Sequence, residues 1–183
     1  MPGQEIELNP VDFVTIGTVG PKGRRVFYLQ AGHADQVLSI VIEKEQSRAL
    51  GDAINELIDD LDERYQRTTE DVDLADFNME LRQPIEPLFR VSQMGLGYDE
   101  DQDKVVLVAQ ELLLTDTGEA ALDAEQEGDL EDILGLDPLE QPSILRLWCS
   151  RAQMRALSQQ AQATVQAGRA DPRQNGRLVY YWT

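Results

Sequence analysis

The order of apolar and polar residues predicts three strands and a helix in the first part of the chain. β-Branched and aromatic residues on both sides of the turn-forming residues 20–23 predict a hairpin of two strands, 13–19 and 24–30. A nearly continuous apolar run at 37–42 predicts a third strand that is covered on both faces. From 47 to 65, apolar residues recur with the helical period, which predicts a long amphipathic helix.

The same order of elements returns later in the chain. Residues 67–87 contain few apolar residues and several acids, so they predict an acidic linker. After it, alternating patterns predict strands at 88–98 and 104–112, and a third strand at 144–149. A helix is predicted at 151–167, and the chain therefore contains the order β-β-β-α twice.

A short sequence match supports an internal repeat. Residues 46–50 read QSRAL and residues 153–157 read QMRAL, and four of the five positions are identical. A single unit of three strands and one helix buries too little surface to be stable alone, whereas two units can share a core. The alternative is chance similarity between two ordinary strand-to-helix junctions, because Leu, Ala, Arg and Gln are common in helices.

The predicted fold class is therefore α+β, with two tandem β-β-β-α units that form mainly antiparallel sheet, in one sheet or two, and two long helices packed on it. We expect one compact domain overall. Its predicted parts are the first unit (1–66), the linker (67–87), the second unit (88–168) with an acidic insert (115–142), and a C-terminal tail (169–183).

Charge limits the classes of partner. Asp and Glu number 34 against 16 Lys and Arg, which gives a formal net charge of −18 that repels nucleic acids and anionic membrane surfaces. The first residues lack the pattern of an export signal, and no apolar run is long enough to span a bilayer, so a cytoplasmic location is predicted. The single cysteine, Cys149, excludes an internal disulfide.

Three aspartates resemble the start of a calcium-binding loop. Asp99, Asp101 and Asp103 alternate as the first ligands of such a loop do. However, Lys104 stands where the loop needs Gly, and Gln110 stands where it needs Glu. A solvated hairpin tip is the better interpretation.

Two other reactive side chains are better explained as structural. His33 lies in a predicted turn without a recognisable nucleophile partner, so it is expected at the surface. Cys149 ends an apolar strand, where a thiol usually fills the core. The sequence predicts no catalytic residue, no cofactor and no metal site.

The insert and the tail are candidate contacts with other molecules. Residues 115–142 contain ten acids and no Lys or Arg, interrupted by Leu and Ile. Such a segment can dock on a partner or fold back onto its own domain. Residues 169–177 are basic, and 178–182 are apolar and aromatic, so the tail could add a strand to an exposed sheet edge in this chain or another.

Several ordered segments carry a resemblance to an uncharacterised bacterial family, domain-of-unknown-function family 3090. They are PVDF (10–13), GTVG (17–20), FYLQA (27–31), EKEQ (43–46), FRV (89–91) with Met94, and the helix 153–168 with Arg169. The resemblance implies no activity. Members of the family carry a cysteine-containing segment after an Ala-Gly-Arg step, which suggests a small metal knuckle; here residues 170–176 contain no cysteine, so a metal role is not carried over.

Two functions remain as hypotheses. The first is a non-enzymatic binding or adaptor module that contacts a protein partner. The second is an enzyme or small-ligand-binding domain with a site between the two halves, where ligand sites are common. The candidate residues of that site are Arg25, Glu43, Lys44, Gln46, Arg90 and Glu111. Helix capping explains the residues 43–46 equally well, and the oligomeric state stays open.

Overall fold

The fold is α+β, with a seven-stranded mixed sheet and two long helices. A computed structural model describes residues 3–113 and 141–167. The strands are β1 (Glu5–Leu8), β2 (Phe13–Val19), β3 (Val26–His33), β4 (Gln36–Ile42), β5 (Pro87–Asp99), β6 (Lys104–Glu111) and β7 (Ile144–Cys149). The helices are α1 (Lys44–Tyr65) and α2 (Arg151–Ala167), with a single 3₁₀ turn at Leu74–Asp76 between α1 and β5.

Strand neighbours follow the order β1-β7-β6-β5-β4-β3-β2. Strands β2, β3 and β4 pair antiparallel and are followed by α1; we call these four elements the first half. Strands β5, β6 and β7 also pair antiparallel and are followed by α2; these form the second half. The pairs β4–β5 and β1–β7 are parallel, so the sheet is mixed.

Strand β1 was not predicted from the sequence. It alternates acids with Ile6 and Leu8, and it pairs with β7 from Glu5 opposite Ile144 to Leu8 opposite Leu147. Four residues of regular alternation are too few to predict a strand. Its pairing partner, β7, lies far along the chain and gives no local signal.

The segment between β1 and β2 is hydrogen-bonded to both halves through the backbone of Val11 and Asp12. The Val11 N–H donates to the Trp148 carbonyl at the end of β7 (2.9 Å), and the Asp12 N–H donates to the Gly32 carbonyl in β3 (2.7 Å). The backbone thus passes from β7 of the second half to β3 of the first half within two residues.

The two helices pack against each other in antiparallel directions. The Ser47 hydroxyl donates to the Ala161 carbonyl (3.5 Å), and the Ser158 hydroxyl donates to the Gly51 carbonyl (3.2 Å). A Cβ added at Gly51 would lie 3.4 Å from the Ser158 carbonyl oxygen, so a small residue permits this close approach. Fully buried side chains from both halves form one core, including Ile16, Leu29, Ile40, Ile54, Ile58, Leu107, Leu147, Met154 and Leu157.

Part of the predicted linker covers the outer face of β2 and β3. The Thr15 hydroxyl donates to the Met79 carbonyl (2.7 Å), and Gln30 exchanges two hydrogen bonds with the Arg82 backbone. The Arg82 guanidinium lies 3.6 Å from the centroid of the Phe13 ring. Residues 38–42 of β4 are all buried, as predicted for a strand covered on both faces, but Val37 at the start of the predicted run is 42% exposed.

Candidate functional site

A cavity lies where β4 ends and α1 begins. Only Glu43 separates the two elements, and Arg90 reaches the same place from β5, which runs parallel to β4. We call this space, of about 420 Å³, the junction cavity. Its lining residues are Gly23, Arg25, Val26, Phe27, Val41, Ile42, Glu43, Lys44 and Arg90.

The charges around the junction cavity are mostly positive. Arg90 makes a short ion pair with Glu43, and the Arg25 guanidinium donates to the Ala167 carbonyl at the end of α2 (3.2 Å). Lys44 is half-buried and makes no ion pair with any residue in the described part of the chain. Three cations therefore face one carboxylate, at the positive end of the α1 dipole.

Gln46 has a structural role beside the cavity. Its side-chain oxygen accepts from the Glu43 N–H (2.8 Å), as in a capping box. Its side-chain nitrogen donates to the carbonyls of Val91 (3.2 Å) and Ser92 (3.3 Å) in β5. The side chain thus ties the start of α1 to the first strand of the second half.

Glu111 lies at the end of β6 and does not line the junction cavity. Its carboxylate accepts from the Ser143 N–H (2.8 Å), which fixes the chain just before β7. Of the six predicted site residues, the structure thus brings Arg25, Glu43, Lys44 and Arg90 together around one cavity. Whether these residues bind a ligand stays a prediction.

The start of α2 carries a network of ion pairs, which we call the α2 network. Arg151 contacts Asp103 (2.9 Å) in the β5–β6 hairpin and Asp62 (3.5 Å) near the end of α1. The hydroxyl of Tyr98 donates to Asp103, which lowers the pKa of Asp103 and raises the pKa of Tyr98 to about 12. Burial acts to raise the pKa of Asp62, but hydrogen bonds from Thr69 and the charge of Arg151 outweigh burial and lower it.

The α2 network was not predicted from the sequence. Asp103 was expected at a solvated hairpin tip, because alternating aspartates gave no indication of a partner. No local signal in the sequence indicated these ion pairs, because Asp62, Asp103 and Arg151 lie far apart along the chain. Among residues 3–113 and 141–167, no cluster of three or more His, Cys, Asp or Glu could hold a metal ion.

Cys149 and His33, which were predicted to have structural roles, lie in surroundings that fit this prediction. Cys149 is fully buried, and burial raises the pKa of its thiol to about 12, which disfavours the reactive thiolate. The His33 ring, about half exposed, lies 2.7 Å from the Pro10 carbonyl and 3.8 Å from the Asp12 carboxylate.

A second open space lies between α1 and β5, with a volume of about 550 Å³; we call it the α1–β5 groove. It is lined by Gln46, Ala49, Leu50, Ala53, Glu56, Leu57 and Asp60 of α1 and by Ser92, Gln93, Met94, Gly95 and Leu96 of β5. Most of the acidic insert and the entire tail, 114–140 and 168–183, lie outside the described residues.

Comparison with known proteins identifies the family and nothing further. No helix in the described part of the chain is both long and apolar enough to cross a bilayer. No curated protein and no solved structure matches the chain significantly. Residues 6–174 match the family described as protein of unknown function (DUF3090), so the resemblance seen in the sequence is confirmed. The chain belongs to this family.

Proposed function

We propose that this protein is a non-enzymatic binding module that holds an anionic group in the junction cavity. The observation that carries the proposal is the grouping of Arg25, Lys44 and Arg90 around one carboxylate, Glu43, in a chain whose formal net charge is −18. A local group of positive charges attracts an anion even though the protein as a whole is negatively charged.

The chemistry of the lining residues suits a carboxylate or phosphate oxygen. Arg90 presents a planar fork that can bind two oxygens at once, and Lys44 presents a point charge with three donors. An incoming anion would compete with Glu43 for Arg90, so binding involves exchange of one ion pair for another. The acidic remainder of the molecule disfavours polyanions, which supports a ligand of one or two charges.

The lining also favours binding over catalysis. The nine residues around the junction cavity include no hydroxyl, thiol or imidazole group. Nucleophilic catalysis and general acid–base catalysis most often employ such groups, and of the other suitable residue types the cavity contains only Lys44 and Glu43. Glu43 is the one carboxylate there, and it is paired with Arg90.

Two sources can supply the anionic group. One is a free small molecule, and the other is an acidic side chain on a partner protein, as the sequence-based prediction of an adaptor requires. We place either interaction in the cytoplasm, a location supported by the lone, buried cysteine.

The test is titration of the full chain with three probes: inorganic phosphate, succinate, and a peptide whose one charged side chain is a glutamate. Binding is measured by calorimetry and by shifts of the backbone amide resonances of residues 27 and 44. Lys44→Gln and Arg90→Gln should each weaken binding about tenfold or more, because each removes a charge-assisted hydrogen bond. Lys104→Gln is the matched control, since it removes the same charge outside the cavity.

The pattern of binding identifies the source. Preference for the two small anions indicates a free ligand, and preference for the peptide indicates a protein partner. The proposal fails if no probe binds at millimolar concentration, or if Lys44→Gln binds as well as Lys104→Gln.

We also propose that the two halves are copies of one β-β-β-α unit. In support, Gln153 of α2 donates to the carbonyls of Val11 (3.0 Å) and Asp12 (3.4 Å), just before β2, and Gln46 of α1 donates to the carbonyls of Val91 and Ser92 within β5. Each helix start thus binds backbone in or next to the first strand of the other half. Gly51 and Ser158, where the helices touch, are separated in sequence by the same distance as Gln46 and Gln153.

A further inference from the structure

The α1–β5 groove exposes apolar surface that the sequence pattern assigned to the buried side of α1. Ala49 and Ala53 are exposed there, and Leu57 is half-buried. On the strand side, Met94 and Leu96 are half-buried and pack only partly against the core. The groove therefore presents apolar surface that additional side chains can cover.

The β5 side of the groove is an unpaired sheet edge. Strand β6 pairs with one edge of β5 from Val91 to Asp99. Strand β4 pairs with the other edge only between Pro87 and Arg90. The Gln46 side chain occupies the carbonyls of Val91 and Ser92. No described strand pairs with that edge from Gln93 onward, which leaves backbone donors and acceptors there available to another segment.

The corresponding place in the first half, between α2 and β2, is filled. The Gln160 side chain donates to the Ile16 carbonyl in β2 (3.0 Å), and Gln159 donates to the Val72 carbonyl in the segment that follows α1 (3.1 Å). Under the proposed repeat, Ala53 of α1 stands where Gln160 stands in α2, so α1 offers the β5 edge no donor at this position.

We propose that residues 178–182 of this same chain occupy the α1–β5 groove and pair with the free edge of β5. The equivalence of the halves supports this occupant, because the segment after α1 covers the first-half groove and the tail is the segment after α2. The inference rests on the proposed repeat, and it does not depend on anion binding.

Distance permits this placement. Helix α2 ends at Ala167, whose carbonyl contacts Arg25 beside the start of α1. The groove runs along α1 from Gln46 to Asp60, which is about 21 Å at the helical rise. Residues 168–177 can span about 33–36 Å when extended, so the tail can reach any point of the groove.

Charge and composition favour the same occupant. The ionisable residues that line the groove are both acids, Glu56 and Asp60. The tail carries Arg169, Arg173 and Arg177 against one acid, Asp171, in a chain that is otherwise strongly acidic. The apolar and aromatic residues at 178–182 can cover the exposed alanines, and extended segments of this kind bind at sheet edges.

The experiment follows the tail and the β5 edge in the full chain. The Trp148→Phe background leaves Trp182 as the one tryptophan, so its emission reports whether the tail is shielded from water. Hydrogen exchange of the backbone amides at 92–96 reports pairing of the edge. Ala53→Arg fills the groove at an exposed helical position, and Ala163→Arg is the matched control at an exposed position of α2.

A tail in the groove predicts a shielded Trp182 and slow exchange at 92–96. Ala53→Arg should expose Trp182 and accelerate that exchange about tenfold or more, whereas Ala163→Arg should change neither. Tyr181→Asp should reproduce the loss without altering the described core, which separates displacement of the tail from damage to α1.

Two results would overturn the proposal. One is a water-exposed Trp182 in the full chain that does not respond to Ala53→Arg. The other is shielding that disappears on dilution, because it would show that the tail of a second copy occupies the groove. Anion binding is measured independently at Lys44, so either inference can fail alone.

Discussion

Helices α1 and α2 each follow the third strand of their half, yet the start of α1 is open and the start of α2 is closed by ion pairs. At the start of α2, Arg151 joins Asp103 and Asp62, and its side chain is only 17% exposed. At the start of α1, Lys44 makes no described ion pair and lines a cavity of about 420 Å³. The difference supports the proposal that the cavity at the start of α1 takes a ligand, whereas the ion pairs at the start of α2 stabilise the fold.

Removal of Arg151 should give the largest effect on stability. Arg151→Leu leaves Asp62 without its nearest cation in a partly buried place, and we expect a loss of about 2–3 kcal/mol in the free energy of unfolding, measured with urea. Lys44→Leu is the matched control at the open junction and should cost less than about 0.5 kcal/mol. Equal losses would contradict the division between a closed and an open junction.

The second-largest effect should come from acid, which should weaken the ion pairs at the start of α2. The pKa values of Asp62 and Asp103 are lowered in the folded state, so these groups contribute stability above the unfolded pKa of about 4 that is lost as pH falls through the folded values. Asp62→Asn with Asp103→Asn should reduce stability at pH 7 and flatten the acid dependence, by about 1 kcal/mol and mainly through Asp62, because Asp103 is 43% exposed and its ion pairs are screened by solvent. An unchanged slope between pH 5 and pH 2, followed by circular dichroism, would show that the network does not couple to folding.

The two glutamine contacts should have similar, smaller effects. Gln46→Ala and Gln153→Ala each remove a capping partner and bonds to the other half, and we expect each to cost about 1 kcal/mol in thermal or urea unfolding. Gln162→Ala, at an exposed helical position, is the control. A large difference between the two glutamine variants would weaken the proposed equivalence of the halves.

The smallest effect on stability should come from Lys44→Gln. The free energy of unfolding should stay within about 0.5 kcal/mol of the parent protein, because Lys44 makes no ion pair among the described residues. The same variant should lose anion binding, as described above. A clear loss of stability would instead assign Lys44 a structural role.

Local pattern predicted most of the regular elements. The strands 13–19 and 144–149 and the helix 151–167 have the same bounds in the structure, because long apolar periodicity reports burial directly. Helix α1 begins at Lys44 instead of 47, since its first turn is stabilised by Gln46 and not by apolar residues. A sequence window registers caps of this kind less clearly than periodicity.

Contacts between distant segments could not be predicted. The pairing of β1 with β7, and the cover that Met79 and Arg82 provide over β2 and β3, depend on residues far apart in sequence. The candidate site could be predicted in part from the sequence, because Glu43 and Lys44 lie beside a predicted helix start. Arg25 and Arg90 join them only because β3 and β5 lie on either side of β4.

The passage of the chain from β7 to β3 at Val11 and Asp12 has a mechanical consequence. Strands β1 and β2 link the two halves, since β1 is hydrogen-bonded to the second half while β2 is hydrogen-bonded to the first. Separation of the halves would break the hydrogen bonds of one of these strands and also those between β4 and β5. We therefore expect the two halves to open together, as one cooperative unit whose most protected amides include those of β3, β4, β6 and β7.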